Sequence, residues 1–227
     1  QIVEELCGKS VSKSFVSDLT AQLDPMVQKW QYRSLSEKTY PYVMTDVLYI
    51  KVREDHRVVS KSCHIAIGIN EQGEREIIGL MIQNGESEST WNKFFDYLKD
   101  RGLHGTKLVI SDAHRGLVTA IQQSFVGATW QRCQVHFMRN ILDRVPKKNS
   151  KPFRESLKAI FRYTDIELAR AAKNEIINTY NDEKRYEKAC QILDEGFEDA
   201  FQYLVVGQGH SRLKSTNALE RLNQEVR

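Results

Sequence analysis

Hydrophobic positions along this chain change their period, and the changes divide it. Near the start, Phe15, Val16, Leu19 and Leu23 recur at helical spacing. Ser12 is placed to cap a helix over residues 12–23. Residues 2–7 read as a shorter helix before it, with Gly8-Lys9-Ser10 as the turn. Two short helices joined in this way fit the second half of a helix-turn-helix, with Lys13, Ser14, Ser17 and Gln22 exposed on the second helix. A plain helical hairpin fits the pattern equally.

From residue 42 the pattern becomes strand-like. Residues 43–53, 58–70 and 76–82 are rich in Val, Ile, Leu and Tyr, and short turns at Glu54-Asp55-His56 and Asn70-Glu71-Gln72-Gly73 separate them, which predicts an antiparallel meander. Residues 89–101 return to helical spacing, with Trp91, Phe94, Phe95 and Leu98 on one side. Residues 107–111 and 128–133 read as strands, and 113–125 and 135–145 as helices. From about 151 to 207 only helices are predicted, since Pro152 is the last proline. A final helix begins near Asn217. A meander followed by strand–helix crossovers predicts an α/β fold.

Composition adds limits. The 227 residues are 41% hydrophobic and 28% charged, enough for one sizeable core. No apolar run reaches the ~18 residues a bilayer span needs, so no membrane partner is expected. A first residue of Gln1 and the absence of a signal-peptide pattern suggest a piece of a longer protein. Cys7, Cys63, Cys133 and Cys190 lack paired spacing, which points to a reducing cytoplasm rather than a disulfide framework. The net charge of +3 permits a nucleic-acid partner without demanding one.

Three acids stand out. Asp46 interrupts an otherwise apolar strand, where a buried carboxylate needs a cation to offset its desolvation. Either a divalent metal or a structural Arg or Lys could do this. Asp112 follows Leu108-Val109-Ile110 at a strand's carboxyl end, where α/β folds place their chemistry. It, or Ser111, could equally cap the helix that follows. Glu220 lies three residues after Asn217, which also makes a capping box. Together, two Asp on neighbouring strands and one acid on a later helix can hold two divalent ions about 3.5–4 Å apart, the arrangement used for in-line displacement at phosphorus.

The runs Thr45–Arg53, Val109–Leu117, Trp130–Phe137 and Ser215–Asn223 resemble those of bacterial insertion-sequence transposases of the Mutator type, the insertion sequence two-five-six family. The resemblance covers essentially the whole chain. It implies a ribonuclease H-like mixed five-stranded sheet flanked by helices, with Asp46, Asp112 and Glu220 as catalytic acids and ligands of two Mg²⁺ or Mn²⁺ ions. It also implies an all-α insertion between the second and third acids, which suits the 108 positions separating Asp112 from Glu220. The implied division is residues 1–40 as the end of a helical DNA-binding region plus linker, 41–146 as the first part of the core, 147–212 as the insertion and 213–227 as the helix carrying the third acid.

The implied activity is nicking at transposon ends and transfer of the freed 3′-OH to another phosphodiester, through a circular intermediate. Double-stranded DNA, as terminal inverted repeats and target, is the implied partner of a homodimer in the bacterial cytoplasm, associated with the nucleoid. Cys133-x-x-His136 is similar to a signature of Mutator-type elements, and with Arg132 it is expected to support the active site. A structural Cys/His pair is the plain alternative, and a zinc half-site would need two further ligands. Arg139, Lys147, Lys148, Lys151, Lys214 and Arg221, with Lys13, Ser14 and Ser17, are the candidate DNA contacts. The alternatives to a strand-transferase are a non-catalytic DNA-binding regulator and a ribonuclease H-like nuclease without strand transfer.

Overall fold

A computed structural model describes residues 12–206, 213–216 and 219. The predicted meander is present as β1 (Tyr42–Glu54), β2 (Arg57–Ile69) and β3 (Arg75–Gln83), paired antiparallel. The β1–β2 turn holds Asp55 and His56 at positive φ, 47° and 63°. Two shorter strands, β4 (Leu108–Ser111) and β5 (Thr129–Arg132), run parallel to β1, giving a mixed five-stranded sheet in the order β3-β2-β1-β4-β5.

Helix α1 (Lys13–Gln31) starts where the sequence predicts, with the Ser12 hydroxyl accepting the Phe15 N–H at 3.1 Å. It does not stop near residue 23 but runs through Pro25. The proline forfeits one backbone hydrogen bond, and helix formers on both sides, Ala21, Gln22, Leu23, Met26, Gln28 and Lys29, carry the helix past it. Its apolar stripe faces solvent: Phe15, Leu19 and Leu23 are all exposed. The helix expected over 2–7 lies outside the described residues. The stretch between α1 and β1 packs on the sheet, with Leu35 and Tyr40 buried and the Arg33 guanidinium donating to the Ile77 carbonyl at 2.6 Å and Glu76 at 2.9 Å.

Alternation along the strands gives the sheet two apolar faces. Val43, Ala66, Ile78 and Val109 meet α2 (Glu88–Asp100) and α3 (Arg115–Ser124), through Trp91, Phe94, Phe95, Leu98, Leu117 and Ile121. Met44, Leu48, Ile65, Leu108 and Ile110 face a second, all-helical layer. That layer contains α4 (Gln134–Leu142), α5 (Lys151–Ile160), α6 (Ile166–Tyr180), α7 (Glu187–Ala200) and the short α8 (Gln202–Val205). Stacked rings, Phe153 on Tyr186 and Phe197 on Phe201, fill its centre. The stretch predicted as purely helical is therefore so among the described residues, and it packs on one face of the sheet. Among the described residues, no helix is long and apolar enough to cross a membrane.

Candidate active site at the carboxyl ends of the parallel strands

β1 and β4 are parallel, in the register Tyr42 with Leu108, Val43 with Val109 and Met44 with Ile110. The parallel pairing ends there; two residues further on, Asp46 is still within β1, while Asp112 lies in the turn after β4. The period-2 alternation gives Asp46 the face of Met44 and Leu48, the side on which the helical layer lies. Both carboxylates are half-buried, so Asp46 is less enclosed than its apolar neighbours suggest. The Asp46 carboxylate accepts its neighbour's backbone N–H, from Val47, at 2.9 Å.

Asp112 sits in the turn after β4, and its carboxylate accepts the His114 N–H at 3.1 Å. Neither Asp112 nor Ser111 caps α3. His114 holds the cap position, and the Ser111 hydroxyl is engaged by Asp112 and Trp130, donating to the Asp112 carbonyl at 2.7 Å and accepting the Trp130 indole N–H at 2.9 Å.

Glu220 lies outside the described residues, as does its expected cap, Asn217. Residues 213–216, shortly before it, are described, and they are fastened to β5 and α4. Gln131, buried, donates to the Leu213 carbonyl and accepts the Tyr203 N–H. The Gln134 N–H donates to the Lys214 carbonyl at 3.0 Å, and the Thr216 hydroxyl donates to the Cys133 sulfur at 3.3 Å. Leu213 and Leu219 lie in the same core cluster as Cys133 and Phe137. The segment before Glu220 is thus bound to the end of β5, one strand from Asp112. Sequence reasoning missed Gln131, Gln134 and Thr216; buried amides at a strand end carry no spacing signature.

Cys133 is fully buried. Burial pushes its thiol up, but hydrogen bonds from His136 and Thr216 outweigh that and leave it below its ordinary value. Its contacts are those of a clasp between β5 and the segment before Glu220. Arg132 is half-buried with its guanidinium 4.7 Å from the Phe137 ring. Burial lowers its pKa, while the charges of Asp199 and Asp112 oppose that shift. With its amide oriented to satisfy its neighbours, Asn140 accepts from Arg132 at 2.9 Å and donates to the His136 carbonyl at 3.3 Å. Gly196 on α7 makes room for this packing: a Cβ there would lie 2.6 Å from Phe137 and 2.7 Å from Arg132. Arg132 and Gly196, with Trp130, Asn140 and Arg144, line a cleft of about 580 Å³ that opens beside Ala113, the residue after Asp112.

The Asp46 and Asp112 carboxylates are hard oxygen donors, the type suited to Mg²⁺ or Mn²⁺. Among the described residues no third His, Cys, Asp or Glu completes a metal-holding group with them, and the expected third donor, Glu220, is not among those residues.

The sequence matches the family model described as "Transposase, Mutator family" over residues 1–227. The chain belongs to the Mutator family of transposases. It is 71% identical over all its 227 residues to the transposase for insertion sequence element IS256 in transposon Tn4001 of Staphylococcus aureus. It is 39% identical to the transposase for ISRM5 of Rhizobium meliloti, also along its whole length. The chain spans 58% and 56% of these two relatives. A solved Drosophila P element transposase strand transfer complex aligns with 66% of this chain and 48% of its own, at 11% identity and a TM-score of 0.32, too loose a likeness to bear on function.

In this Mutator-family chain, the remaining basic candidates fall in different settings. Lys147, Lys148 and Lys151 are exposed in and after the link between α4 and α5, with Lys151 3.9 Å from Glu155. Arg139 is exposed on α4. Lys214 is turned inward, donating to the Phe161 carbonyl at 3.1 Å beside the Tyr203 ring. Ser14 and Ser17 are exposed on α1, while the Lys13 side chain and Arg221 lie outside the described part.

Proposed function

We propose that this chain is the catalytic part of a DNA transposase of the DDE type, with Asp46, Asp112 and Glu220 as its acids on a ribonuclease H-like core. The observation that carries the reading is that Asp46 and Asp112 each follow by two residues the last pair of the parallel β1–β4 register, in a chain of the Mutator transposase family. Two divalent ions bound there, Mg²⁺ or Mn²⁺, would activate the attacking oxygen and stabilise the leaving 3′ oxygen. Asp46 on β1 and Asp112 in the turn after β4 would hold the ions, with Glu220 as the third donor. Arg132 contributes positive charge beside Asp112, and the exposed lysines of 147–151 contact phosphates without reading sequence.

The reaction nicks double-stranded DNA at the transposon ends and transfers the freed 3′-OH to another phosphodiester, through a circular intermediate. Bringing two ends together calls for a homodimer. The test is Asp112→Asn in the full-length protein, with transposon-end DNA and Mn²⁺. Nicking and joining should fall by more than the roughly 100-fold that loss of an outer-shell partner costs, while end binding in Ca²⁺ persists. Full activity in that variant overturns the reading. Cut but never joined products from the unmodified protein would make it a nuclease, and binding with neither product a regulator.

A further inference from the structure

Glu86 is a carboxylate that the proposed chemistry does not use, yet it is built into the turn that carries Asp112. It lies between β3 and α2, and only 9% of its side chain is exposed. One oxygen accepts the indole N–H of Trp91 at 3.0 Å, and Trp91 is itself fully buried. The same oxygen faces Nδ1 of His114 at 3.6 Å, and the other accepts the Tyr49 hydroxyl at 3.3 Å. Glu86 therefore ties β1, α2 and the 112–114 turn together from the sheet face opposite the helical layer.

We infer that Glu86 is a positioning residue for metal binding: through His114 it fixes the turn that presents Asp112 to a divalent cation. The inference rests on reading Asp112 as a metal ligand. The backbone N–H of His114 orients the Asp112 carboxylate. The His114 side chain makes no cap hydrogen bond to α3, although it occupies the cap position, and it points to Glu86 instead. Glu86 is in turn anchored on Trp91. Tyr49 links this cluster to the site electrostatically: burial raises its pKa most, and the charges of Glu86 and Asp112 add to the shift.

The turn and the Glu86 segment are also pressed together, since a Cβ on Gly116 would lie 2.8 Å from the Glu88 nitrogen. Glu86 is not needed to start α2, because Ser87 and Thr90 form a complete capping box there. Trp91 needs only an acceptor, which an amide oxygen also supplies. The Glu86 oxygen that holds Trp91 is also the one that faces His114, and an amide oxygen there is a weaker partner than a carboxylate. Ligand-orienting outer partners of this kind typically govern metal affinity by 10–100-fold.

The test uses the full-length protein bound to transposon-end DNA, with Mn²⁺ as the probe. Glu86→Gln keeps the shape and the acceptor for Trp91 but removes the charge. Binding of Mn²⁺, read from loss of the free-ion EPR signal, should weaken about tenfold. The Mn²⁺ concentration for half-maximal nicking should rise by the same factor, with activity recovering at saturating Mn²⁺. Melting temperature and Ca²⁺-supported DNA binding should stay at wild-type values, and His114→Gln, on a more exposed side chain, should reproduce the shift if Glu86→Gln folds poorly. A purely structural brace would lower activity at every Mn²⁺ concentration without moving the midpoint, and that result overturns the proposal. If Asp112→Asn loses Mn²⁺ while Glu86→Gln and His114→Gln bind it normally, only the role of Glu86 falls. If Asp112→Asn binds Mn²⁺ like wild type, the metal reading falls and takes this one with it.

Discussion

His64 shows how burial alone sets a residue's behaviour. It has no exposed surface, and its ring meets the edge of Trp91 at 4.3 Å. Burial pulls its pKa from 6.5 down to about 4, against the weaker effect of backbone hydrogen bonds near Ser62 and Met81. Between those two values the unfolded chain binds a proton that the folded chain refuses, so stability rises with pH across that window. Acidification from pH 7 to 4 should therefore cost up to about 3 kcal/mol, at 1.36 kcal/mol per unit. Urea unfolding at successive pH values should register the loss, and His64→Phe should flatten that part of the curve. A curve for His64→Phe as steep as wild type would assign the effect to other groups. His64 is not part of the proposed chemistry, and nothing in its sequence neighbourhood distinguished it from the catalytic candidates.

Among the elements, the segment 213–216 depends on contacts distant along the chain. It is held by Gln131, Gln134 and Cys133, none of which is within 60 positions of it. Gln131→Leu would leave the Leu213 carbonyl and the Tyr203 N–H without their buried partner, a cost of about 1–3 kcal/mol for each orphaned group. Hydrogen exchange at residues 213–216 should accelerate in that variant while β1 and β2 keep their protection. Equal acceleration everywhere would mean that Gln131 supports the whole fold rather than this docking. Element boundaries followed the sequence pattern closely in the strands, because alternation of apolar residues is a local signal. The end of α1 did not, because a single proline predicts a break that strong helix formers on either side override.

For the whole molecule, charge and length set the terms. A net charge of +3 is small, so any affinity for DNA rests on where the cations lie rather than on their excess. Lys147 and Lys148 are both exposed in the link between α4 and α5. If they contact phosphate, Lys147→Ala and Lys148→Ala should each lower the slope of log affinity against log salt by about 1, with little effect on sequence preference. An unchanged slope in full-length protein would remove them from the interface. The helical layer packs on the face of the sheet that carries Asp46, and its cleft opens beside Ala113, the residue after Asp112.

Local pattern was enough to read the strand–helix order, the apolar faces and the candidacy of Asp46 and Asp112, because hydrophobic period and a misplaced carboxylate are properties of neighbouring residues. The four motif runs, read together, pointed to the Mutator family that the full-length match establishes. Tertiary structure alone decided the rest. The parallel pairing of β1 with β4 sets Met44 beside Ile110 and so draws together the segments that carry Asp46 and Asp112, across 66 positions that no local period encodes. Glu86 was invisible for the same reason: before Ser87 it reads as a polar residue in a turn, and only packing brings Trp91, Tyr49 and His114 around it. Burial and long-range hydrogen bonding are cooperative, so they can be assigned only once the chain has closed on itself.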